Sequence, residues 1–266
     1  MEDRLQWIRL QPQSWAHWDP VRGGVQAHAL LTARYPQADC FIIQPPDNGP
    51  ALAAARELLP APWSLSRWRG GKVRLANPAD GVVQMLWANM ALHMAADPQA
   101  LIAQWHRLLA VDGFVMFSAL GPDTLRELRP VYDAMGWAPP AHDFTDMHDW
   151  GDMLVHAGFA EPVMDMERIV LTWESHASLL AELRQLGANL HRGRHAGLRG
   201  RRWKGALEQA LASRLANPRE EGRLSLTFEI IYGHALKPAP RARLAEQSAV
   251  SLQDIRSMLR AGYRKE

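Results

Sequence analysis

Apolar positions in the first half of the chain come in short runs separated by helical patterns. Ser14–Trp18 reads as a first strand, and Gln26–Arg34, with Ala29, Leu30 and Leu31 among polar neighbours, as a helix. Asp39–Gln44 is a second buried strand, closed by Pro45-Pro46, which cannot continue a hydrogen-bonded ladder. Pro50–Leu59 reads as helix with Pro60 as its stop, Trp68–Asp80 as loop and edge strand, and Val82–Trp87 as a further strand. The most explicit unit is Asp97–Phe117. Asp97 caps a helix that has Pro98 at its first position, and Leu101, Ile102, Trp105, Leu108 and Leu109 share one face. Asp112-Gly113 then turns the chain into the buried strand Phe114–Phe117. Strand and helix alternating in this way predict a doubly wound, mainly parallel α/β sheet.

The second half has a different rhythm. Helices are expected at Thr145–His156, ending at Gly158, and at Ser175–Leu186, ending at Gly187, with a strand at Val163–Trp173 between them. Leu224–Ile230 alternates with period two, a half-buried antiparallel strand. The pattern predicts one domain over residues 1–237, with a helical cap inserted at about 122–222. Residues 238–266 read as a linker and a terminal amphipathic helix that carries Ser251, Asp254, Ile255, Met258 and Leu259.

Composition narrows the function classes. The single cysteine, Cys40, excludes an internal disulfide and a thiolate zinc site. His148 and His156 lack the spacing of helical metal ligands, and with His142 they are scattered, so no metal is expected. No apolar run reaches the roughly 18 residues that span a bilayer, and the N-terminus has no signal-peptide layout, so the expected compartment is the cytoplasm. Net charge is only +2, so any electrostatic partner must be met by a local cluster. One exists: Arg192, Arg194, Arg199, Arg201, Arg202 and Lys204 fall within thirteen residues that contain no acid. Such a run is a solvated surface, a dock for an acidic protein, or a contact for nucleic-acid phosphates.

In sheets of this type ligands lie beyond the carboxyl ends of the strands, against the loop after the first one. That loop holds Gly23-Gly24, which is either a plain turn or a place where ligand atoms approach the backbone. From about Arg4 to Lys237 the chain resembles the class I S-adenosylmethionine-dependent methyltransferases. More narrowly it is similar to the malonyl-acyl-carrier-protein O-methyltransferases of biotin synthesis. The segments that carry the likeness are Leu86–His93, Phe117–Leu128, Asp146–Asp149, Gly151–Leu154, Ala157–Asp165, Leu186–Ala188, Gly193-Arg194 and Tyr232–His234. The resemblance implies a Rossmann-like methyltransferase fold, S-adenosylmethionine as cofactor, and methylation of the free carboxylate of a malonyl-carrier thioester. It implies Gly23, Gln44 and Asn89 as cofactor positions and His93, His142 and Arg194 as substrate positions. Arg194 would be the catalytic clamp on the carboxylate, and Arg192, Arg199, Arg201, Arg202 and Lys204 would dock acyl carrier protein. A carboxylate is already ionised at pH 7, so the reaction needs positioning and exclusion of water rather than a general base.

The chain also departs from the family pattern. The acidic-Leu-Gly-x-Gly-x-Gly run of the family falls on His17–Gly23, and only Gly23 is kept. The carboxylate that grips the ribose hydroxyls becomes Gln44, and an acid earlier on the fourth strand becomes Gln84. Only residues 1–13 precede the first strand, where the family has a longer lid with a substrate-contacting tyrosine. Losing a carboxylate removes charge-assisted bonds worth roughly 1.5–3 kcal/mol each. Val21 puts a branched side chain at a glycine position, Pro20 removes an N–H, and Arg22 adds a cation near the expected sulfonium. Two readings follow: an active methyltransferase, or a non-catalytic descendant that has lost the cofactor and binds acyl carrier protein or a pathway partner.

Overall fold

Strands β1 (Ser14–Trp18), β2 (Asp39–Ile43), β3 (Val73–Leu75), β4 (Val83–Ala88), β5 (Leu109–Leu120), β6 (Ala160–Trp173) and β7 (Leu224–Leu236) form one sheet in the order β3-β2-β1-β4-β5-β7-β6. The structure, a computed structural model, describes residues 1–45, 49–61 and 71–240, together with 253, 256 and 257. Strands β1 to β5 run parallel, and β7 lies antiparallel between β5 and β6. The order reverses between β1 and β4, so the cleft expected of a doubly wound sheet opens at their carboxyl ends.

Helices cover both faces, which is why the strands read as continuous apolar runs. Trp15, Cys40, Ile42, Met85, Trp87, Phe114 and Met116 point to one face. There they pack with Leu31 of helix α2 (Val25–Arg34), Ala55 of α3 (Gly49–Arg56) and Leu5 of an N-terminal 3-10 turn (Glu2–Trp7). Ala16, Leu86, Ala88, Val115 and Phe117 point to the other, against Trp105 of α4 (Pro98–Leu108) and Trp150 and Leu154 of α6 (Met147–His156). Asp97 caps α4 as its sequence predicts, accepting from the Ala100 amide at 2.9 Å. Strand β5, however, begins at Leu109, directly after the helix, and Asp112-Gly113 is a kink inside it rather than its entrance. Leu109 pairs with Val83, the register shifts, and Phe114 pairs with Met85. Asp112 (φ 63°) and Gly113 are bonded through their backbones to Lys237 at the end of β7, at 2.8 Å each way.

The stretch 122–222 supplies helices α5 (Leu128–Ala134) and α6, then the edge strand β6. It continues with α7 (His176–Leu183) and α8 (Arg201–Arg214) before β7. A third apolar cluster, including Leu120, Leu125, Leu128, Trp173, Leu179, Leu207, Leu211 and Phe228, packs α5, α7 and α8 against the ends of β5, β6 and β7. The exit from β5 is tied to β7 by polar bonds. Glu229, buried, accepts from the Asp123 amide through Oε2 (2.7 Å) and from Gly121 N through its carbonyl (2.8 Å). Glu127 accepts from Thr227 N at 3.0 Å. A Cβ on Gly121 would stand 2.8 Å from the Glu229 side chain, so the glycine lets the two segments meet. The expected linker beyond residue 240 and the terminal helix with Ser251, Asp254, Ile255, Met258 and Leu259 lie outside the described residues, as do the first residues of Trp68–Asp80. Gln253, Arg256 and Ser257 are helical.

Candidate functional site

Several cavities open at the carboxyl edge of the sheet, one of them lined by Gly23, Asn89, Ser118 and Tyr232. The first begins where β1 ends. Asp19 adopts a left-handed backbone (φ 46°), which aspartate tolerates better than most residues, and its amide donates to the Ile43 carbonyl at 2.8 Å. The loop after it is a short helical turn, α1 (Pro20–Gly23). Pro20 sits at its first position, where no intrahelical donor is needed, so the missing N–H costs nothing there. Val21 packs against the cluster around Leu5 and Trp15 as well as lining the cavity.

The position expected to be a weakened ribose contact is more elaborate than its sequence suggests. Gln44 Nε2 donates to Asp19 Oδ1 at 2.8 Å, and Asp19 is only 6% exposed. Gln44 Oε1 is buried and has no partner among the described residues. Arg22 Nε stands 3.7 Å from Asp19 Oδ2, an ion pair beyond hydrogen-bond reach. These groups line a cavity of about 590 Å³ with Pro45 and Pro50.

Gly23 and Asn89 meet where α1 touches the end of β4. A Cβ on Gly23 would lie 2.6 Å from the Asn89 carbonyl oxygen, so only glycine permits the approach. Asn89 Nδ2 donates to the Gly23 carbonyl, and Ser118 Oγ donates to Asn89 Oδ1. The ends of α1, β4 and β5 are thereby locked together.

The second cavity, about 320 Å³, lies among α5, α7 and α8 between apolar walls that include Leu125, Tyr132, Phe144, Leu183 and Trp203. Its polar groups are His93, His142, Arg184, Asn189 and Lys204. His93 Nδ1 accepts from the Leu120 amide at 3.3 Å, which places the ring proton on Nε2. His142 Nε2 donates to the His93 carbonyl at 3.1 Å, and the Phe144 ring contacts both imidazoles. Burial, then His142 and then Arg22, pushes the His93 pKa down to about 4. His93 is therefore a neutral N–H donor at pH 7. Arg22, which lines the first cavity, is close enough for its charge to be felt by a residue of the second.

The structure thus gathers Gly23, Gln44 and Asn89 at one edge and brings His93 and His142 together beneath the cap. Arg194 stands apart, on an exposed turn, with its guanidinium donating to the His191 carbonyl at 3.2 Å. Arg192, Arg201 and Arg202 are exposed, and Arg199 lies over the Trp203 ring at 4.1 Å. Lys204 alone of the basic run lines the cavity, paired with Glu208 at 3.5 Å. Sequence reasoning passed over Asp19, Arg22 as a link between cavities, and Arg184. Asp19 carried a signal, a charged residue directly after a buried strand, that reads as a turn former when Pro20 follows. Among the described residues no group of three His, Cys, Asp or Glu could hold a metal ion, and no helix is long and apolar enough to cross a membrane.

No family model matches the chain. Curated relatives do. A malonyl-acyl-carrier-protein O-methyltransferase of Laribacter hongkongensis is 39% identical over 252 residues, covering 91% of this chain and 82% of the relative. Another from Gallionella capsiferriformans is 38% identical over 255 residues, with the same shares covered. Among solved structures, a candidate methyltransferase from Bacillus halodurans superposes with a TM-score of 0.56 at 14% identity, covering 90% of this chain and 99% of its own. The YcgJ protein of Bacillus subtilis gives 0.52 at 12% identity, covering 85% and 92%. These two likenesses establish the fold.

Proposed function

Because the chain belongs to the malonyl-acyl-carrier-protein O-methyltransferase family, we propose that it methylates the free carboxylate of a malonyl-carrier thioester, with S-adenosylmethionine as methyl donor. The observations that carry the reading are the polar cavity at the ends of β1 and β2, where Gln44 Oε1 has no partner among the described residues, and the separate, largely apolar cavity that holds His93 and His142.

The residues present fit an adenosyl group. The buried Gln44 Oε1 lacks a donor and lines the polar cavity, which suits a ribose hydroxyl. Gly23 keeps the loop pressed on Asn89, with no side chain in the way. Asp19, Gln44 and the backbone around Gly23 would hold the nucleoside. S-adenosylmethionine, when bound, supplies an electrophilic methyl group.

The chain's own residues then have a positioning task. The substrate carboxylate is the nucleophile and is already ionised, so no side chain needs to take a proton. The apolar walls of the cap cavity exclude water, which strengthens every electrostatic contact inside. His93, held neutral, offers Nε2–H without adding a competing positive charge. Arg184 and Lys204 bring cations to the cavity wall and are the groups placed to hold the carboxylate or the carrier arm. The exposed Arg192, Arg194, Arg201 and Arg202 and the partly buried Arg199 form the basic surface offered to an acidic carrier protein, and the compartment is the cytoplasm. Residues 122–222 act as the substrate cap.

The test is a methyl-transfer assay with malonyl-carrier protein and labelled S-adenosylmethionine, paired with calorimetric titration of S-adenosylmethionine. Micromolar binding and labelled methyl ester support the reading. No heat up to millimolar ligand, with the chain folded, refutes it.

A further inference from the structure

We infer that Asp19 is the carboxylate that grips the cofactor's ribose diol in this chain, with Gln44 as its neutral co-acceptor. The inference rests on the cofactor reading above. Its ground is the hydrogen-bond inventory at the ends of β1 and β2. The Gln44 amide has two ends, and Nε2 is committed to Asp19 Oδ1 at 2.8 Å. That bond fixes the amide's orientation and leaves Oε1 as the buried acceptor without a donor among the described residues. A buried acceptor in this state is destabilising until a ligand supplies a hydrogen. Among the described residues the second carboxylate oxygen, Asp19 Oδ2, has only Arg22 Nε near it, at 3.7 Å and outside hydrogen-bond range.

One charged and one neutral acceptor therefore line the same cavity from neighbouring strands. A ligand that satisfies both brings two hydrogen-bond donors. Arg22 already supplies the local cation, so an uncharged pair of donors, such as a vicinal diol, fits. The arrangement also accounts for the amide at position 44. A second carboxylate within 2.8 Å of Asp19 would suffer like-charge repulsion, so the pair accommodates a single negative charge. The charge that the family resemblance places at the end of β2 stands at the end of β1 instead.

The test is calorimetric titration of the full chain with S-adenosylhomocysteine and with its 2′-deoxy analogue. Asp19→Asn should weaken the parent ligand about ten- to hundredfold, the size of one charge-assisted hydrogen bond, and the deoxy analogue by less than about threefold. Asp19→Asn combined with Gln44→Glu, which returns the single charge to β2, should recover most of the loss. Unchanged affinity in Asp19→Asn, equal losses for both ligands, or no recovery in the double variant each overturn the inference. If Asp19→Asn does not fold, Gln44→Met removes the co-acceptor and its bond to Asp19. It must weaken S-adenosylhomocysteine binding, and unchanged affinity there also overturns the inference. A wild-type chain that binds neither ligand defeats the cofactor reading itself. That result is distinguishable from undiminished binding by Asp19→Asn.

Discussion

Replacing Gly23 by alanine isolates the contact that fastens the first loop to the fourth strand. Gly23 lies in α1 and its φ is not positive, so the backbone itself accepts alanine. Helix propensity alone would favour the change by up to about 1 kcal/mol. The surroundings do not. The new Cβ would sit 2.6 Å from the Asn89 carbonyl oxygen and 3.2 Å from Asn89 Cβ, against an ordinary contact of 3.4 Å or more. The nearest atom is backbone and has no rotamer to escape into, so α1 and the end of β4 must separate. Overpacking of this kind costs about 1–3 kcal/mol, and a propensity gain of about 1 kcal/mol leaves a net cost of up to about 2 kcal/mol. At about 2–4 °C per kcal/mol for a chain of this size, the melting temperature should fall by up to roughly 8 °C. The Asn89 to Gly23 bond is strained by the same movement, so affinity for S-adenosylhomocysteine should fall with stability. Gly24→Ala is the matched control. Its Cβ meets nothing within 4 Å, but its φ of +96° strains any other residue. It should lose stability while leaving the Asn89 contact intact. Thermal melts and calorimetric titration measure both effects. A Gly23→Ala protein more stable than wild type would refute the packing argument, because propensity would then be the only force acting.

Three further outcomes are expected. His17 is pushed down to about 3 by burial and by His28, and His93 to about 4. The unfolded chain binds protons below about pH 6.5 that the folded chain does not. Stability should therefore fall as pH drops from about 6.5 toward 4 and be indifferent to these groups above 7; urea unfolding at pH 7, 6, 5 and 4.5 reads it, and a flat profile contradicts it. Arg184→Ala should raise KM for the malonyl-carrier substrate at least about tenfold, whereas Arg194→Ala, outside the cavity, should change it less than about threefold; the reverse order in steady-state kinetics would return the clamp to Arg194. Glu229→Leu leaves the Asp123 amide without its acceptor and should cost about 1–3 kcal/mol in denaturant titration, with wild-type stability arguing against the clamp between β5 and β7.

Much of this protein is determined by local pattern. The buried strands Ser14–Trp18, Asp39–Ile43 and Val83–Ala88, and the Asp97 cap with Pro98 behind it, follow from burial periodicity and backbone chemistry that act over a few residues. Gly23 was legible for the same reason, as a glycine at the foot of a helix. Tertiary structure decided what happens between residues far apart in sequence. Asp112-Gly113 reads as a turn in isolation, but its backbone groups pair with Lys237, which converts the turn into a kink within a strand. The alternating run Leu224–Ile230 is recognisable alone, but its extension to Leu236 and its place between β5 and β6 depend on pairing across more than a hundred residues with β5. The site shows the division most clearly. Gln44 read alone is a lost carboxylate and Asp19 read alone is a turn residue, because hydrogen-bond partners twenty-five positions apart leave no periodic trace in the sequence. Arg184, in a helical pattern, and Arg194, in a basic run, carry no local signal of which meets a cavity. Packing sends Arg184 to the cavity wall and leaves Arg194 in solvent, since direction in space is not set by residue type.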